Sequence, residues 1–228
     1  MPSDRFTQLS AQLDVLREHL LPAEFTDTGQ YGDSQDRVET SALAYRVLCH
    51  AEIETYFEDR SLEAMSRARE AWDASRFVSH ITLCLLAFSG KEMKAPPDSL
   101  EAPSDNLKRS WPALLDIGEK LIPAMTEFYK LVRKDNHGIK EKNLLALLLP
   151  IGIDHKQLDP IFLTEIDQYG SLRGMAAHTS SRSAVRQAVD PAEESRRIDN
   201  LLPGIAAIDG LVEALLADVP ASAASKQP

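Results

Sequence analysis

Gln35-Asp-Arg-Val-Glu-Thr-Ser-Ala-Leu-Ala-Tyr-Arg-Val-Leu-Cys-His-Ala-Glu-Ile-Glu-Thr-Tyr56 carries the pattern that decides the fold. Val38, Ser41, Ala42, Tyr45, Leu48, Cys49, Glu52, Ile53 and Tyr56 return at three- and four-residue steps, the period of one helix face. The stripe either continues or breaks near Asp59 to Ser61, into a segment from Leu62 to Ala74. Working outward, Phe6, Leu9, Leu13, Leu16 and Leu20 predict a first helix over Asp4 to Leu20. A loop from Pro22 to about Ser34 holds Gly29 and Gly32 and separates the two.

Downstream the period stays helical. A mostly apolar helix is expected from about Arg76 to Phe88, and Gly90 to Asp105, with three prolines, reads as an exposed connection. From about Asn106 to Arg133 the pattern is helical again, with Pro112 and Pro123 expected to start or kink it. Asn136-His137-Gly138 reads as a helix stop. Lys140 to Leu149 forms a short apolar helix. Asp159-Pro160 and Asp190-Pro191 each pair an N-cap with a first-turn proline, and Glu193 stands where a capping box would put it. No alternating strand pattern or hairpin signal occurs. The expected fold is all-α: an up-down bundle of about six to eight helices in a single domain, residues 1–218, with a disordered tail, residues 219–228.

Hydrophobic residues make up 43% of the 228 and charged residues 26%, so the chain can bury a sizeable core. The longest apolar run, Leu144 to Ile151, is about eight residues, short of the ~20 a bilayer span needs. The first residues lack the basic flank and apolar core of a secretory signal. Two cysteines, Cys49 and Cys84, sit in apolar helical patterns and suit a reducing compartment. A cytoplasmic protein without membrane contact is expected. The net charge of −10 argues against broad, non-specific binding of nucleic acid, which needs a basic face.

Locally the sign reverses. Ser171 to Gln187 carries Arg173, His178, Arg182 and Arg186 and no acid. Arginine forks onto phosphate oxygens at any working pH, and histidine exchanges protons near neutrality. Together they are what metal-free cleavage of RNA requires. The alternative is a salt-bridged Arg173 and a hydrogen-bonded core or cap His178. At ~100° per residue the two positions lie roughly 140° apart on a straight helix. Either the helix ends or bends at Gly174, or two copies meet across a two-fold axis. Glu52 lies on the stripe of α-helical residues 35–56, where a carboxylate needs a partner: Arg173, or a structural arginine.

Other chemistries fare worse. No phosphate-binding glycine loop, dinucleotide fingerprint or nucleophile-elbow serine is present, and two separated cysteines make no zinc site. His50 and Glu54 share a helix face as in di-metal bundles, but no second copy of the pair exists. No metal or cofactor is expected.

Arg173-Gly-Met-Ala-Ala-His178 near the end of an all-α chain resembles the Arg-x4-6-His hallmark of the HEPN superfamily (higher eukaryotes and prokaryotes nucleotide-binding). Ala44 to Glu58, Asn136 to Gly152 and Gly170 to Thr179 resemble segments of its RiboL-PSP branch, and the likeness spans roughly residues 35 to 215. The resemblance implies a metal-independent endoribonuclease in toxin–antitoxin, phage-defence or RNA quality-control systems, working as a homodimer with a composite site. It implies Arg173 on the scissile phosphate, His178 as general base toward the ribose 2′-hydroxyl, and a 2′,3′-cyclic phosphate product. Arg182 and Arg186 would then be substrate-side cations. Partners would be RNA, a second copy, and an antitoxin or other defence-operon protein. Catalytic members commonly carry a polar residue after the arginine. Here Gly174 stands there, which leaves open an inactive domain that binds RNA or protein.

Overall fold

The stripe of residues 35–56 becomes one uninterrupted helix of 41 residues. The computed structural model describes residues 2–90, 117–178 and 189–220; at positions 33 and 174–178 only the backbone is described. The expected helix start near Asn106, Pro112, the connection up to Asp105, and the tail from Ala221 lie outside these residues. Seven helices and no strand occur among the described residues: α1 Asp4–Leu20, α2 Gln35–Ser75, α3 His80–Phe88, α4 Ile117–Lys130, α5 Glu141–Leu148, α6 Pro160–His178 and α7 Pro191–Ala217.

At ~1.5 Å per residue α2 is about 60 Å long, and it touches all six other helices. No break occurs at residues 59–61. The Ser61 hydroxyl donates to the Phe57 carbonyl at 2.8 Å, so the helix absorbs the serine. Asp59 and Arg60 spend their charges on neighbouring elements, Asp59 on Arg5 and Arg133, and Arg60 on Glu213. The chain leaves α2 through Arg76 in the left-handed region (φ 59°), its guanidinium 5.1 Å from the Trp72 ring centre. The next helix therefore begins at His80 rather than Arg76, capped by the Ser79 hydroxyl.

Ser3 caps α1 by accepting from the Phe6 N–H, and Leu9 and Leu13 bury against the bundle. Asp209, buried in α7, accepts from the Ser3 N–H at 2.8 Å, the Ser3 hydroxyl at 2.6 Å and the Tyr56 hydroxyl at 2.7 Å. Arg60 of α2, 2% exposed, lies 3.4 Å away. Burial pushes the Asp209 carboxyl up, but the Ser3 and Tyr56 donors and the Arg60 charge outweigh it and hold it below the usual carboxylate range. α7 is long and apolar enough to cross a membrane, yet this carboxylate and Glu194 tie it to arginines of α2.

Pro123 lies within α4, and a π turn, Leu131–Asp135, follows before Asn136 turns extended. α5 begins without a side-chain cap of its own; Asp167 of α6 accepts the Glu141 N–H at 3.2 Å instead. Asp159 accepts the Ile161 N–H, and Asp190 the Ala192 N–H, so both expected Asp-Pro starts hold. Glu193 does not close a capping box. Its carboxylate turns to Arg196 and Arg197.

α6 packs on α7 where Gly204 meets the Phe162 ring: a Cβ at 204 would stand 2.1 Å from a ring carbon. Gly204→Ala should gain the ~1 kcal/mol helix preference of alanine but lose more to overpacking, typically about 1–3 kcal/mol. Urea unfolding should show a lower midpoint. A raised midpoint would refute this α6–α7 packing.

Candidate active site at the end of the α6 core stripe

Phe162, Ile166 and Tyr169 form the buried stripe of α6, and Arg173 is the next residue on the same face. The stripe is laid against α2. The Tyr169 hydroxyl donates to the Arg46 carbonyl at 2.8 Å, and its ring stacks on His50 with centroids 6.2 Å apart. One turn further on, Arg173 lies within electrostatic reach of both His50 and Glu54.

This neighbourhood sets the charges. His50 is 1% exposed, with Nδ1 3.6 Å from a Glu54 oxygen and no hydrogen-bond partner. Burial, and then the Arg173 charge, pull the His50 imidazole down from 6.5 to about 4, so it is neutral at neutral pH. Burial and the neighbouring Glu58 push the Glu54 carboxyl up; Arg173, a hydrogen bond from the Gly138 N–H and His137 partly offset this. Glu58 is itself engaged, by the Asn136 amide at 3.0 Å and Arg133 at 3.2 Å.

Three other arginines on or against α2 are paired. Arg46 forks onto Glu194 at 2.7 and 2.8 Å, Arg60 meets Glu213 at 2.6 Å, and Arg133 meets Asp59 at 2.6 Å. Arg173 is half-buried and forms no ion pair or hydrogen bond among the described residues. A partly desolvated guanidinium without a carboxylate is set up to take an anion.

α6 runs helical through His178, so the chain does not end its helix at Gly174. Positions 173 and 178 are therefore roughly 140° apart around the axis. The His178 side chain, Arg182 and Arg186 lie outside the described residues. Glu52 does not stand beside Arg173. It lines a cleft against α1 with Arg5, Gln8, Gln12 and Asp59. Residues 52 and 54 point roughly 200° apart on one helix, and the Tyr169–His50 stack puts α6 on the Glu54 side. Asn136, His137 and Gly138 were legible as a helix stop and as part of the resembling segment Asn136 to Gly152; no signal in the sequence brings them to Glu54. Among the described residues, no three His, Cys, Asp or Glu side chains converge as metal ligands.

The sequence model of the RiboL-PSP-HEPN family matches residues 19–214. The chain belongs to that family. The RiboL-PSP-HEPN match covers α2 to α7 nearly end to end, including Arg173, and the all-α architecture agrees with it. No curated protein and no solved structure matches the chain. Membership in the HEPN class points to cleavage or binding of RNA.

A buried histidine with a lowered folded-state value contributes stability that is full above its unfolded value. That stability is lost as pH falls from about 6.5 toward about 4. Glu54, raised in the fold, works in the opposite sense, and Tyr169 and Arg173 are the other groups facing the imidazole. Urea unfolding from pH 7 to 4 should show wild type losing on the order of 2–3 kcal/mol that His50→Gln does not lose. Parallel pH curves would show that His50 is not buried as neutral imidazole.

Proposed function

We propose that the chain is a metal-independent endoribonuclease of HEPN type, acting in the cytoplasm as a homodimer. The observation that carries this is Arg173, the one core-stripe cation of α6, held half-buried beside a neutral histidine with no carboxylate partner among the described residues. In a chain of net charge −10, a free guanidinium at the end of a helix stripe selects a local phosphate rather than a long polyanion surface.

In this reading Arg173 binds the non-bridging oxygens of the scissile phosphate and stabilises the charge that builds there. His178 takes the proton from the ribose 2′-hydroxyl. The 2′-oxygen attacks phosphorus, the bond to the 5′-oxygen breaks, and a 2′,3′-cyclic phosphate remains. With positions 173 and 178 facing different directions on one helix, a second copy supplies His178 to the first copy's Arg173. Arg182 and Arg186 would add cations along the substrate. A toxin–antitoxin, phage-defence or RNA quality-control setting, with an antitoxin-like partner, suits such an activity.

Gly174 favours a second reading. It places no side chain one turn before His178, where a polar group would contact substrate or orient the imidazole. The domain would then bind RNA or protein without cutting.

Purified protein incubated with RNA in EDTA separates the two. Cleavage with cyclic-phosphate ends is expected, falling about 100-fold or more in Arg173→Ala and His178→Ala. Arg173→Lys should recover only part, because an ammonium cannot fork. RNA binding without cleavage in wild type would leave the binding-module reading standing and remove the catalytic one.

A further inference from the structure

Arg173 and position 178 face different ways, but Arg173 has an imidazole near it within its own protomer. The loop after the π turn is pinned on both sides of His137. Asn136, 7% exposed, donates to Glu58 at 3.0 Å and accepts from the Asn143 amide at 2.9 Å. Gly138 is buried at φ 144°, a backbone state L side chains rarely adopt, and a Cβ there would lie 3.8 Å from the Asn143 oxygen and 3.9 Å from His50 Nε2. Glu58 and His50 lie one turn to either side of Glu54 on α2, so the loop crosses α2 at Glu54. Consecutive Cα atoms are ~3.8 Å apart, so His137 is held next to Glu54 while its own side chain stays exposed. Buried Asn136 and Gly138 fix the loop on either side of an exposed imidazole.

Glu54 is thus flanked by Arg173 on α6 and His137 on the loop. One protomer presents a phosphate-binding cation, a carboxylate and a solvent-reachable imidazole together.

We propose that His137 is the general acid of the cleavage reaction, and that Glu54 is the residue that positions it beside the phosphate held by Arg173. The proposal rests on the nuclease reading. As the 2′-oxygen forms its bond to phosphorus and gives its proton to His178, the bond from phosphorus to the 5′-oxygen breaks. The proton on the His137 imidazolium passes to that departing oxygen, leaving neutral imidazole and a 5′-hydroxyl. Water later returns the proton. Glu54 opposes the imidazolium as a carboxylate does in a triad, fixing its orientation.

The test uses full-length protein in EDTA and a short RNA with one cleavable linkage, made with either oxygen or sulfur at the bridging 5′ position. A thiolate leaves without being protonated. His137→Ala should slow single-turnover cleavage of the oxygen substrate by about 100-fold or more, yet slow the sulfur substrate less than about tenfold. Glu54→Gln should show a smaller loss on oxygen that sulfur also restores, because it acts through His137. Arg173→Ala should slow both substrates alike. An oxygen-substrate rate within about threefold of wild type in His137→Ala, or an equal loss on both substrates, would overturn the assignment while leaving the nuclease reading intact. Wild type that cleaves neither substrate would overturn that reading and this one with it. Because the His137 side chain is exposed, its variants should keep the wild-type unfolding midpoint. If His137→Ala lowers it, His137→Gln carries the same comparison.

Discussion

The unbroken course of α2 is the constraint on which the structure depends. Every other described helix is laid against it, so a residue's position along α2 fixes which neighbour it meets. Arg46 meets α7 through Glu194, His50 meets α6 through Tyr169, Glu58 meets the loop after α4 through Asn136, and Arg60 meets α7 through Asp209 and Glu213. Had the helix broken at residues 59–61, the half carrying Glu54 would no longer be held in register with the half carrying Arg60. The candidate site and the anchor of the N-terminal segment share one rod.

That rod also sorts charge. Buried ion pairs cost desolvation that good geometry must offset, and removing one partner leaves an expensive orphan. The chain satisfies this at Arg46 and Arg60 with close carboxylates. Arg173 has no such carboxylate among the described residues, and Glu58, one turn from Glu54, is taken by Asn136 and Arg133. His50 completes the setting by remaining neutral, which lets an imidazole pack beside a guanidinium without repulsion.

Much of the fold was legible because its boundaries are written in local chemistry. Asp159 before Pro160 and Asp190 before Pro191 mark helix starts through caps that need no tertiary help. The end of α2 was not, since Arg76 adopts a left-handed conformation usually left to glycine. Arg173 was legible from residue type and spacing. Its company was not: whether Glu52 or Glu54 faces it depends on which side of α2 receives α6, and that is decided by Tyr169 stacking on His50. His137 was hidden for a related reason. An Asn-His-Gly run looks like punctuation until the structure shows what its flanking residues grip.

The π turn at Leu131–Asp135 has a consequence of its own. Such a turn is an α turn carrying one surplus residue. Removing a single residue between 131 and 135 would let α4 run on in regular register and swing everything behind it by about 100° about the axis. Asn136, His137 and Gly138 would rotate away from Glu58 and Glu54 while both helices survived. The aim of that loop is a matter of counting, and homologues that lack the surplus residue should present a different face of the bundle to whatever they bind.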